Sequence, residues 1–161
     1  MSPRAAWRLE AAGFTPVYDY TDGKADWLAA DLPFDGDALL VGPLTRRQVP
    51  TVAGDATVAV ARAQEKAVGF GPVVALNPAR VVLGTLRREQ LEQAGADDPV
   101  AGLLHFGVST VRPSEQVAEL VHRMGHARVT RTVVTRSDGV LVGLFFAEDA
   151  PDVEEDAPRR P

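Results

Sequence analysis

"STVRPSEQVAELVHRMGHARVTRTVVTRSDGVLVGLFFAED", residues 109–149, decides how the chain is read, because residues 50–90 follow the same pattern. That earlier stretch is "PTVAGDATVAVARAQEKAVGFGPVVALNPARVVLGTLRREQ". A displacement of 59 positions sets Thr51 on Thr110, Val52 on Val111, Val58 on Val117, Gly84 on Gly143 and Glu89 on Glu148. Val73-Val74 falls on Val133-Val134 once a one-residue slip is allowed. Self-similarity at a fixed displacement marks two copies of one structural unit.

Each copy has the same grammar. A Thr-Val pair opens it as a short strand. A helix follows, clearest at Val117, Leu120, Val121 and Met124, which share one face. Two apolar strands come next. In the second copy these are "RTVVT" and "VLVGLF", joined by Ser137-Asp138-Gly139. Asp-Gly between such runs signals a hairpin. A charged helix start closes the unit, at Arg87–Glu92 in the first copy and at Ala147–Asp149 in the second. The pattern predicts strand–helix–strand–strand–helix twice. Two small sheets with one apolar face each bury those faces against one another as a pseudo-twofold pair. The expected fold class is α/β in its α+β form, with units at 49–107 and 108–149 after a connector at 37–48. "APDVEEDAPRRP" (150–161) reads as a disordered acidic, Pro-rich tail.

Composition narrows the function. The chain has 161 residues, enough for a real core. Its net charge of −5 argues against a nucleic-acid partner, which calls for a basic face. There is no cysteine, so thiolate nucleophiles, disulfides and thiolate metal sites are excluded. No run approaches the ~20 apolar residues of a membrane span, and the start lacks a hydrophobic signal region. The expectation is a cytoplasmic protein with no membrane partner. No Ser-His-Asp set, P-loop or dinucleotide fingerprint is found, so no catalytic residues are assigned and the chain is expected not to be an enzyme. His122 and His126 have a spacing that metals can use. No Cys or further His supports them, and an exposed helix face is the expectation. No metal or resident cofactor is assigned.

The repeated unit resembles the cystathionine β-synthase (CBS) domain, and the two copies together resemble a tandem CBS pair. The pattern that carries the likeness is an apolar strand, Gly, two apolar residues, a small hydroxyl, two variable residues and Asp. The second copy supplies Gly143, Leu144, Phe145, Phe146, Ala147, Glu148 and Asp149; the first supplies Gly84, Thr85, Leu86, Arg87, Arg88, Glu89 and Gln90. The resemblance implies a cleft between the units for an adenosine-type ligand (AMP, ATP or S-adenosylmethionine), with the terminal Asp on the ribose. Here one of two sites keeps that Asp, and neither keeps its hydroxyl. The ligand-binding residues expected on these grounds are Asp149, Phe146, Thr110, Val111 and Arg87. Each has a plainer reading: Asp149 as an acid at a helix start, stabilised by the dipole, Arg87 as a solvated charge, Phe146 as core, Thr110 and Val111 as strand packing.

Residues 1–36 read as a helix over "PRAAWRLEAAG", a strand at "TPVYDY" and a helix over 24–31 capped by Asp22, with Trp27 and Leu28 on its buried side. This α-β-α zone resembles the C-terminal end of a rhodanese-like domain, notably at Tyr18-Asp19-Tyr20, Gly23-Lys24-Ala25 and Trp27. The cysteine loop and earlier strands of such a domain would lie upstream. Either the zone is a true remnant, or the protein starts before Met1. About 36 residues cannot build their own core, so the zone packs on the remainder or on another chain. The reading that results is a non-catalytic, homodimeric regulatory protein. Two alternatives stay open: a ligand-free interaction scaffold, and a sulfurtransferase fragment whose cysteine lies elsewhere.

Overall fold

The computed structural model describes residues 3–18 and 20–151. Helices α1 (Pro3–Ala11) and α2 (Gly23–Ala29) precede two units built to one plan. The first contains β1 (Thr51–Ala53), α3 (Val58–Val68), β2 (Val73–Leu76), β3 (Val82–Leu86) and α4 (Arg88–Gln93). The second contains β4 (Thr110–Val111), α5 (Val117–Ala127), β5 (Arg131–Thr135) and β6 (Leu141–Phe146). The helix expected to close this unit is a single 3-10 turn at Ala147–Asp149. Pro151 explains the shortfall: the residue before a proline is driven out of the helical region, and Ala150 is extended (φ −70°, ψ 131°).

Each unit has a three-stranded sheet in which the first strand pairs parallel with the second and the second antiparallel with the third. Register settles the alignment of the repeat. Thr51 faces Val74 and Thr110 faces Val133, so the displacement of 59 continues through the strands without the expected slip. The pleat forbids one, since a one-residue shift turns every side chain to the opposite face. Val73 and Ala75 enter the first unit's own core, and Val74 and Leu76 enter the core shared by both units. In the second unit Val134 and Phe145 point inward, while Val133, Leu144 and Phe146 point to the shared core.

That shared core joins Val49, Val74, Leu76, Val133, Leu141, Leu144 and Phe146. Burying each such side chain contributes about 1.5–3 kcal/mol. The hairpins β2–β3 and β5–β6 meet tip to tip. Val81 bridges Val140, Val82 N–H donates to Gly139 (3.2 Å) and Leu141 N–H donates to Arg80 (3.0 Å). Val81 and Val140 are themselves equivalent under the displacement, so the pseudo-twofold axis passes between them. The Ser137-Asp138-Gly139 turn forms as expected, with Gly139 at φ 85°, a conformation open to glycine.

The stretch 37–48, expected as a connector, is built into the second unit. Leu40 bridges Gln116, Val41 N–H donates to Glu115 and Arg46 pairs with Leu144 through two hydrogen bonds of 2.8 and 3.0 Å. The mirror arrangement holds ahead of the second unit: Pro99 bridges Thr57, Val100 N–H donates to Ala56, and His105 pairs with Thr85. Each unit's leading segment therefore crosses over and extends the sheet of the other. Val41 and Val100, equivalent residues, are both fully buried.

In the N-terminal zone the two helices form, but residues 14–18 and 20 make no strand. The rhodanese-like likeness thus lacks the strand that it implied; Asp19, within it, lies outside the described residues. Asp22 makes no side-chain cap bond. Helix α2 docks on the second unit instead. Buried Asp26 accepts from Ser137 Oγ (3.0 Å) and lies 3.4 Å from Arg136 Nε. Arg47 donates to Ala29 and Leu28 carbonyls (2.7 and 3.3 Å), setting a cation at the helix's negative end. Leu28 is buried and Trp27 half-buried, its Nε1 donating to Pro33. Of the expected tail, Ala150 packs against the second unit's core; residues 152–161 lie outside the described residues.

Candidate ligand site

The five expected residues fall in three places. Phe146 ends β6, and Asp149 follows in the 3-10 turn. The crossed-over segment brings Arg46 to them. Its Nε donates to Asp149 Oδ2 (2.6 Å) and its Nη2 to Asp149 Oδ1 (2.5 Å), a bidentate charge-assisted pair. Nη2 also reaches Glu148 at 3.1 Å. The guanidinium carbon lies 4.4 Å from the Phe146 ring centre and 5.2 Å from that of Phe70, within cation–π range. The two rings meet edge to face, 5.8 Å apart. Phe70 is held there by the Gly69–Gly71 loop that leaves α3, where Gly69 (φ 82°) caps the helix end. The hydrogen bond to Asp149, ahead of every other cause, raises the pKa of Arg46 above its ordinary value. Asp149 is therefore a carboxylate paired with a guanidinium that itself lies over two aromatic rings.

Thr110 and Val111 sit elsewhere. β5 runs from Arg131, opposite Phe146, to Thr135, opposite Leu141. β4 lies beside β5 with Val111 against Val134, so Thr110 and Arg112 approach the Thr135 end, away from Phe146. There a cavity of about 420 Å³ opens, lined by Thr110, Arg112, Thr135 and Ser137 of the second unit and by Val82 and Leu83 of the first. Val111 faces the other way, into the second unit's core. Arg87 is exposed. It stands at the N-cap of α4, where its N–H donates to Gln90 Oε1 (3.1 Å) and Gln90 Nε2 donates to Leu103 (3.1 Å). Gln90, in the position equivalent to Asp149, is thus committed to the backbone.

Arg46, Phe70, Arg112 and Thr135 were not among the expected residues. Arg46 lay inside the expected connector, and its one available signal was the pair "VGPL" (41–44) and "VAGL" (100–103), again 59 apart. His122 and His126 stand exposed on α5 with Nε2 atoms 3.1 Å apart. Among the described residues no third potential ligand completes a metal cluster, and no helix is long and apolar enough to cross a membrane.

The fold is that of CBS-domain pairs. The chain is similar to the CBS domains of a transcriptional regulator from Streptococcus pneumoniae (TM-score 0.64, 19% identity, 70% of this chain and 97% of that one). It is also similar to the CBS pair domain of a putative Mg2+ transporter from Shewanella oneidensis MR-1 (TM-score 0.61, 18% identity, 91% and 83%). A match of that breadth reaches well into the N-terminal zone. A third is the cytosolic domain of the Mg2+ channel MgtE in complex with ATP (TM-score 0.63, 20% identity, 68% of this chain). The match spans just under half of that chain, 46%. Neither a family model nor a curated protein matches the sequence.

Proposed function

We propose that the protein is a non-catalytic regulatory module of the CBS-pair kind, homodimeric, that responds to an adenosine-containing ligand such as AMP, ATP or S-adenosylmethionine. The observation that supports this most is the gathering of Asp149 and Phe146 of the second unit and Phe70 of the first around Arg46. A carboxylate accepts two hydrogen bonds from vicinal ribose hydroxyls, and the half-buried Phe70 ring suits a purine. Hydrogen bonds to a charged group contribute about 1.5–3 kcal/mol each. The ribose would take over the contacts that Asp149 now gives Arg46, releasing a guanidinium for the ligand's phosphate. The MgtE chain solved with ATP shares the fold, which agrees with this reading.

Thermal shift with AMP, ATP, NAD and S-adenosylmethionine tests it. A ligand at one hundred times its dissociation constant stabilises by about 2.7 kcal/mol, a rise of several degrees. Asp149→Ala should then weaken binding about ten-fold or more. No shift with any of the four at millimolar concentration leaves the scaffold reading in its place. Sedimentation equilibrium checks the dimer.

A further inference from the structure

The cavity at the Thr135 end lies apart from Asp149 and has chemistry of its own. Its volume of about 420 Å³ falls in the range of small-molecule sites, roughly 300–1,000 Å³. One wall is polar. Arg112 Nη1 donates to the hydroxyls of Thr110 (3.4 Å) and Thr135. Thr135 is almost wholly buried, at 1% exposed. Since both hydroxyls accept from Arg112, each keeps its own proton to give. Among the described residues neither hydroxyl donates to a protein acceptor, and Arg112 has no carboxylate partner. The acid in the wall, Asp138, is engaged by Val140 N–H (3.0 Å) and lies 3.7 Å from Arg136. The opposite wall is apolar and comes from the other unit, through Val82 and Leu83.

A guanidinium edge and two hydroxyl protons converging on one space make an oxyanion site, since a planar cation with fixed N–H groups matches phosphate oxygens. The apolar wall sets what else the ligand must carry. We propose that this cavity binds a small phosphate monoester with an apolar body, its phosphate on Arg112, Thr110 and Thr135 and its body against Val82 and Leu83. Because the walls come from both units, such a ligand ties them together at the hairpin tips.

Phenyl phosphate is a suitable probe, with benzyl alcohol as the uncharged control, followed by amide chemical shifts of the labelled full chain. The expected result is saturable shifts at Thr110, Arg112 and the Ser137–Gly139 turn, and none there with benzyl alcohol. Arg112→Ala should weaken binding about ten-fold or more, as loss of a charge-assisted bond predicts. Arg112→Lys, which keeps the charge but not the fork, should fall between. Three results each overturn the proposal: no binding by 10 mM (~2.7 kcal/mol), shifts confined to Phe146–Asp149, or full affinity in folded Arg112→Ala. Should Arg112→Ala fail to fold, Thr110→Val decides, since unaltered affinity there rejects the site.

Discussion

Gly143→Ala is the sharpest test of the crossed-over architecture. A Cβ at Gly143 would lie 2.2 Å from the Arg46 carbonyl oxygen and 2.7 Å from Thr45 Cγ2, well inside the 3.0 Å that real Cβ atoms respect. The obstacle is backbone, so no side chain can swing aside. The segment must retreat, and with it go the two hydrogen bonds between Arg46 and Leu144. Each contributes about 1 kcal/mol net, and overpacking adds about 1–3 kcal/mol. The expected loss is about 3–5 kcal/mol, or on the order of 10 °C in Tm for a chain of this size. Gly84→Ala, the equivalent change in the first unit, meets the His105 carbonyl at a milder 2.8 Å and should cost less. Gly102→Ala meets nothing within 4 Å and should be near neutral. Urea unfolding followed by circular dichroism and tryptophan fluorescence ranks the three. If Gly143→Ala lies within about 0.5 kcal/mol of wild type, the ordinary range for an inconsequential change, the close approach of residues 45–46 does not exist.

Gly125→Ala should raise stability by about 0.5–1 kcal/mol in the same assay, since this helical glycine faces open space; a loss would mean that α5 is covered. Leu144→Ala, fully buried in the shared core, should cost about 2–5 kcal/mol; a cost under 1 kcal/mol would mean that the sheets do not pack there. Asp26→Ala strips Ser137 and Arg136 of their partner and should loosen α2, speeding tryptic cleavage after Lys24 several-fold; an unchanged rate would show that α2 is held by other contacts.

The repeat made the two units and their element order legible, because strand and helix periods are local signals. The hairpin turn at Ser137–Gly139 was legible for the same reason. Pairing between distant single residues was not. Leu40 with Gln116 and Arg46 with Leu144 leave no periodicity, only the brief likeness of "VGPL" to "VAGL". The one-residue slip was attractive as a match of Val-Val to Val-Val, yet it set a residue of the unit's own core against one of the shared core. At the candidate site, the motif pointed to Asp149 and Phe146. Their partner Arg46 was hidden in a stretch that composition marks as connector. Thr110 was expected as a cleft residue, while Arg112, between β4 and Pro113, and Thr135, which ends β5, carry no motif. Tyr18, within the stretch read as strand, is instead exposed, because among the described residues no strand lies alongside to pair with it.

The exchange of leading segments also fixes an order of events at the ribosome. The first unit receives residues 99–105 soon after β3 has emerged, so it can complete its sheet early. Residues 40–46 have no such luck: the strand that accepts Arg46 is made 98 residues later. At about 5–20 residues per second, Leu40 and Val41 wait about 5–20 s with their apolar surface in water. Residues 40–46 are thus made early and locked late, and translation speed through the second unit sets how long a chaperone could hold them.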